Sequence, residues 1–509
     1  MVEINPAAPK IWLVTITVMV GTVAAIMGAS TVNVSLPDIM AGLGVSQDQI
    51  SWVSTAYMLA NVISIPTAAW LGSLLSKRVV FAVGLVGFLV SSILCGLSWD
   101  FAGMITFRVL QGLSAGLIMP TAQALLFEAY PSDQRGLAMG IYGLGAIMGP
   151  AIGPTLGGYL AALFSWRAIF FVNAPFAITS LAMMGLLPRE ARRPGARFDA
   201  LGFASLALCL STLQIALTNG AKDGWGSPTI VACLGLSLVS GSFLLVHELV
   251  IEHPMLDFGV FRHATYNGAT IVSIVVGLGL YGSTFIVPLY LGNLLGYSAL
   301  DIGLIMLPGS LVMGVMMLVA GRISDFVDAR ILLVVGLSLF AYFLYLASQA
   351  TADSTTSYFV WALVWRGLGM GMVFSPLSAA ALGGVPPRLL SQASGMYNLT
   401  RQLAGTIGIA VLTTTLTVRS SFHMAVLNQA MRLNSEATQR FLVLNRQVLL
   451  ARGYAPVAAG QGAVALLGRT MAREVAGLAY QDLFLICVAV TLCALVPTVF
   501  MRVERRQKA

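Results

Sequence analysis

The chain has 509 residues, 58% hydrophobic and only 9% charged, against about a quarter charged in an ordinary soluble domain. That composition excludes water as its main solvent and points to lipid. The formal charge of +8 does not indicate a nucleic-acid partner, because the basic residues sit in short loops beside apolar stretches, where they set topology next to anionic lipid.

Fourteen apolar stretches follow in chain order, at 11–36, 50–71, 79–98, 101–127, 137–160, 166–187, 199–219, 228–250, 264–291, 300–321, 330–349, 357–383, 395–417 and 479–501. Each supplies roughly the 20 residues a tilted helix needs to cross about 30 Å of hydrocarbon. A barrel would instead show short alternating segments. The predicted fold class is therefore an all-α polytopic membrane protein with spans grouped 6+2+6. The groups are 1–187, a linker with two inserted spans at 188–263, and 264–509. Lys10, Lys77, Arg78, Arg135, Arg189, Arg192, Arg193, Arg197, Arg262, Arg322, Arg330, Arg388 and Arg502 fall on one side, whereas the short loops opposite hold only Arg167 and Lys222. The positive-inside rule then places both termini in the cytoplasm.

The first span is too long for a cleavable signal peptide. Span 4 carries Arg108 and span 12 carries Arg366, eight spans apart, each followed by glycines; spans 2 and 10 lead into related loops, 72–78 and 321–330. Such parallel repeats are a transporter architecture with the substrate path between the halves. A mid-membrane arginine costs roughly 3 kcal/mol on insertion scales, so Arg108, Arg366 and, near its span's start, Arg401 are functional candidates. No Asp or Glu lies in the middle third of any span; Asp38, Glu128, Asp301 and Asp482 are the nearest. A cavity with buried arginine and no buried acid disfavours cations and tolerates anions. Its other polar candidates are Asn33, Tyr57, Asn61, Gln123, Tyr281, Asn398 and Gln402.

In span 5, Gly140, Gly143, Gly145, Gly149, Gly153, Gly157 and Gly158 strip one helix face of side chains, which permits very close helix approach. Pro150 and Pro154 remove backbone donors and make pliable points. The segment 418–480, with seven arginines, is a long outer loop. Its apolar spacing between Phe422 and Leu450 predicts two amphipathic helices, either a docking surface or a cap over the exit. Cys95, Cys209, Cys233, Cys487 and Cys493 stand singly in apolar runs and read as packing residues. The four histidines lack metal-ligand spacing, and no nucleotide-binding motif is present. No cofactor, metal or enzymatic activity is expected.

Asn33–Pro37 (NVSLP), Trp52–Tyr57 (WVSTAY), Arg108–Gly112 (RVLQG), the glycine–proline run of span 5, Trp166–Pro175 and Thr400–Gly408 together resemble the major facilitator superfamily. Within it they resemble the fourteen-span drug:proton antiporters of the EmrB/QacA type, on the EmrB branch. The resemblance implies proton-coupled efflux of amphipathic small molecules across a bacterial inner membrane by alternating access. It makes Gly149, Pro150, Gly153, Pro154, Gly157 and Gly158 the antiporter motif, ties Arg108 to proton coupling, and makes Arg135, Gly321, Asp325 and Arg330 a cytoplasmic gate. It also implies a tripartite pump, with a periplasmic adaptor suited to the 418–480 loop and an outer-membrane channel. Two departures stand out: the family's acidic residue of span 1 falls on Gly28, and the first gate copy has Ser73 and Ser76 in place of an acid and a glycine. Asp38 and Glu128 are then the proton-carrier candidates. The alternatives are a dedicated exporter of one metabolite, such as a siderophore, toxin or organic acid, and a non-transporting scaffold or sensor.

Overall fold

A computed structural model describes residues 11–187, 199–251, 254–351, 353–430 and 436–501. The arginines at 189–197, Lys10, Arg432 and Arg502 lie outside the described residues. Helices alone form the regular structure among them, with no strand. In chain order the main helices are α1 Ile11–Val34, α2 Gln47–Leu75, α3 Lys77–Gly96, α4 Phe101–Ala129, α5 Arg135–Leu163, α6 Asn173–Ala182 and α7 Ala200–Asp223. They continue as α8 Pro228–Val250, α9 Ala264–Leu289, α10 Ala299–Ile323, α11 Ala329–Ser348, α12 Thr356–Gly383, α13 Leu390–Ala430 and α14 Pro456–Cys493. Among the described residues, twelve helices are long and apolar enough to cross a membrane. The further helices α2 and α5, 29 residues each, occupy the second and fifth predicted spans.

Local chemistry sets the helix starts. Ser46 and Gln49 make a reciprocal capping box at α2, and Ser298 and Asp301 make another at α10. Asp100, Asp199 and Asp328 accept from free backbone N–H groups at the starts of α4, α7 and α11. These carboxylates satisfy donors that a helix N-terminus leaves unpaired, so Asp301 caps the start of its span.

Packing repeats along the chain. Helix α4 lies against α2 and α3, and α1 against α5; likewise α12 lies against α10 and α11, and α9 against α13. The repeat legible in the sequence is thus a repeat of helix contacts. Helices α7 and α8 pack on each other, and α7 touches α2 and α13. The indole N–H of Trp225, just beyond α7, donates to Thr414 Oγ1 of α13 at 2.9 Å.

The sixth predicted span is built of consecutive pieces, Ala168–Phe171, α6 and a 3-10 turn at Met183–Leu186, that together run 19 residues, long and apolar enough to cross a membrane. The helices expected between Phe422 and Leu450 are present, but the first is not separate from its span. Helix α13 runs on for 41 residues to Ala430, Glu436–Ala451 forms the next helix, and α14 starts at Pro456, far before its apolar part. Proline at that first position has no N–H to lose. Asp482 Oδ2 accepts from Arg419 Nε at 2.7 Å and lies 2.6 Å from His423 Nε2, which ties the α13 extension to α14.

Candidate functional site

Arg108 is 1% exposed. Its Nε donates to the Val53 carbonyl at 2.9 Å, and its Nη1 donates to Gln111 Oε1 at 2.6 Å and to the Gly28 carbonyl at 3.3 Å. Tyr57 lies under the guanidinium, 4.3 Å from ring centroid to Cζ, with its hydroxyl on the Ala25 carbonyl. Gln111 passes the network to Ser92 Oγ at 2.6 Å. The arginine therefore clamps α1, α2 and α4 through neutral acceptors, which meets the demand that a buried cation be hydrogen-bonded. Gln111, three residues on and hence on the same helix face, is a partner the sequence reading did not single out.

At Gly28 there is no room for the family's acid: a Cβ there would stand 2.6 Å from Phe88 Cζ and 3.3 Å from Asn173 Nδ2. The glycine lets the backbone carbonyl serve Arg108 directly. The proton-carrier candidates lie far from it in role. Glu128 pairs with Lys77 Nζ at 2.6 Å, and Asp38 is exposed on the short helix Leu36–Leu43. No carboxylate partners Arg108, Arg366 or Arg401 among the described residues.

The glycine stripe of α5 changes partner halfway along the helix. Its first part faces the second group of helices. A Cβ at Gly140 would sit 2.6 Å from the Met317 carbonyl of α10, and one at Gly143 would sit 3.1 Å from Phe374 of α12. From Gly145 onward the stripe faces α1, through Met19, Ile26, Ser30 and Thr31; a Cβ at Gly157 would meet the Thr31 carbonyl at 2.8 Å. Ser30 Oγ donates to the Gly149 carbonyl at 2.9 Å. Close approach therefore serves the seam between helix groups at one end and the inside of one group at the other. Gly153 is buried within this contact and Gly158 is half-buried beside it. Helix α5 stays continuous through positions 150 and 154; the side chains of Pro150, Pro154 and Tyr281 lie outside the described residues.

The bonds that join the two groups start at the basic end and reach about mid-helix. The fully buried Asp325 carboxylate accepts from Gly136 N at 2.8 Å and Leu137 N at 3.2 Å, at the start of α5. An acid at a helix N-terminus is favoured by both the free N–H groups and the dipole. Gly321 packs on the Gly136 backbone, and Arg135 lies over Phe127 at 4.6 Å. Arg330 is not part of this cluster: its Nε stands 3.9 Å from Asp328. Further in, Ser394 Oγ donates to the Pro120 carbonyl at 2.9 Å, Asn398 Nδ2 donates to Gln123 Oε1, and Gln402 Nε2 donates to Asn61 Oδ1 at 3.4 Å. Four predicted cavity residues thus form pairs across the seam. Asn33 does not; exposed, it accepts from Ser54 within the first group at 2.7 Å.

The remaining two arginines differ from Arg108. Arg366, 8% exposed, donates to the hydroxyls of Ser283, at 3.2 Å, and Thr284. Arg401 does not reach the surface as its place near the span start permits; it is 5% exposed. Its Nη2 donates to Asn398 Oδ1 at 2.8 Å, and its guanidinium lies over Phe374 at 4.5 Å and Tyr397 at 5.5 Å. Its Nη1 is buried without a hydrogen-bond partner. No sequence signal marks Phe374, Ser283 or Thr284 as arginine partners.

The Major Facilitator Superfamily matches residues 18–409. The multidrug export protein EmrB of Escherichia coli (strain K12) is 32% identical over 425 residues, 82% of each chain. The colistin resistance protein EmrB of Acinetobacter baumannii is 28% identical over 97% of each chain. The fatty acid resistance protein FarB of Neisseria gonorrhoeae is 28% identical over 81% of this chain and 82% of its own. Among solved structures, the human organic anion transporter MFSD10 superposes with a TM-score of 0.61 at 14% identity, covering 95% of this chain and 100% of that one, a likeness of fold. With its many candidate spans, the protein is a multi-pass protein of the cell inner membrane, and the chain belongs to the Major Facilitator Superfamily, among its EmrB-type export transporters.

Proposed function

We propose that this protein exports amphipathic small molecules, neutral or anionic, in exchange for protons by alternating access. In this reading residues 1–187 and 264–509 are two six-helix bundles flanking the inserted pair at 188–263, with fourteen spans, both termini in the cytoplasm and the basic end inside. The seam carries the proposal: the two helix groups meet at the close α5–α10 contact and through a few polar bonds that run from the basic end to about mid-helix. Each such bond nets only about 1 kcal/mol because water can replace it, so a ligand with modest differential affinity can tip the balance between states. The relatives' printed roles in multidrug, colistin and fatty acid resistance agree with export.

Arg108 is positioned to feel a protonation through Gln111, Tyr57 and α1. Asp38 and Glu128 are the carriers to test, and Glu128 would have to leave Lys77 to take a proton. The helical hairpin at 418–480 exposes Val443, Leu444, Val457 and Val464, apolar surface that suits a periplasmic adaptor linked to an outer-membrane channel. The decisive test is proton release on substrate addition to vesicles holding the purified chain. Release that saturates with substrate supports exchange, and substrate flux without proton movement overturns it.

A further inference from the structure

We propose that Arg401 is a binding site for a singly charged carboxylate head carrying an apolar tail, wired to the seam through Asn398; this rests on the export reading above. Among the described residues three arginines are buried within the predicted spans, and their bonding separates their roles. Arg108 is engaged on three sides by backbone carbonyls, Gln111 and Tyr57, so it is a rivet. Arg366 is met by two hydroxyls. Arg401 alone of the three keeps a buried nitrogen with no acceptor.

A cation with an unmet donor in a low-dielectric interior is costly, and the missing acceptor stabilises most when it bears negative charge. The protein supplies none: no carboxylate bonds to Arg401 among the described residues, and its one polar partner is the neutral amide of Asn398. The surroundings define the ligand further. One guanidinium balances one charge, so a dianion would bury an uncompensated charge. Phe374 and Tyr397 line the guanidinium with aromatic faces, where an alkyl or aryl tail can replace apolar contacts. Gln402, the next residue, makes a long 3.4 Å bond to Asn61 across the seam, which places the site beside the innermost seam bond described.

Asn398 gives the site a consequence. Its Oδ1 accepts from Arg401 while its Nδ2 donates to Gln123 of the other helix group. A carboxylate bound at Nη1 draws on the same guanidinium that Asn398 holds through Nη2, so the ligand and the seam amide share one cation.

The test uses the full-length purified chain and two probes with the same tail, decanoate and uncharged decanamide, read by titration calorimetry. Decanoate should bind about tenfold tighter than decanamide, equal to about 1.4 kcal/mol. Arg401→Gln should bring the ratio to about 1, and Arg401→Lys should keep part of it. Asn398→Asp, close to isosteric, offers Arg401 an internal counter-ion and should abolish the preference in a chain that still folds. Equal binding of the two probes by the unaltered chain, or an unchanged preference in both Arg401→Gln and Asn398→Asp, overturns the proposal. Gradient-driven export of uncharged Nile red by the unaltered chain separates the readings: export without a decanoate preference sinks the site alone, and a preference without export sinks the export reading alone.

Discussion

The inside of the first helix group and the seam between the groups share close glycine packing but differ in their polar bonds. Inside, Arg108 fixes three helices through backbone carbonyls, and Gly149, Gly153 and Gly157 press α5 onto the α1 backbone. At the seam, serine hydroxyls, amides and one carboxylate meet partners that water can replace. The difference bears on the proposed rocking: within the first group one buried cation ties three helices at once, whereas each side chain bonded across the seam meets one or two partners.

The largest effect is expected inside. Arg108→Ala removes three charge-assisted bonds and should cost about 2–3 kcal/mol, seen as a lower unfolding temperature together with at least a tenfold loss of export. Full pH-driven efflux by this variant would erase the contrast. A smaller and different effect is expected at the seam. Asp325→Ala frees two N–H groups at the start of α5 and should shift the population toward the state open at the basic end by about tenfold or more. Cysteine labelling at that end measures it, and unfolding temperature should barely move; a large drop would mean the seam is part of the core. The smallest concerns the junction between α2 and α3, where Ser76 holds φ at +102°. Ser76→Gly should stabilise by about 1 kcal/mol, and no gain in unfolding temperature would show that the backbone there relaxes with serine in place.

Much of this was legible in the sequence. Apolar length located the helices because lipid leaves the backbone no other option, and the fall of Arg108, Arg366, Gly321 and Asp325 on repeated positions announced two related halves. What stayed hidden was direction. Spacing shows that the α5 glycines invite a neighbour, but not that the invitation passes from α10 to α1 at Gly145. Position along a helix likewise could not tell whether Arg401 bends to the surface or inward, since that depends on Asn398 and on Phe374 from a distant segment. The outer loop misled because hydropathy falls where the membrane ends while helix propensity does not, so α13 carries on to Ala430. Nor could a sequence show that Phe88 fills the space beside Gly28.

The unbroken run of α13 has a mechanical consequence. Its 41 residues make a rod about 60 Å long at 1.5 Å per residue, rooted at the seam by Ser394, Asn398 and Gln402 and tied near its far end to α14 by Asp482. Tilting such a lever by about 10° at its root swings the tip by about 10 Å. In the proposed exporter, a partner bound to the hairpin would be shifted with each cycle.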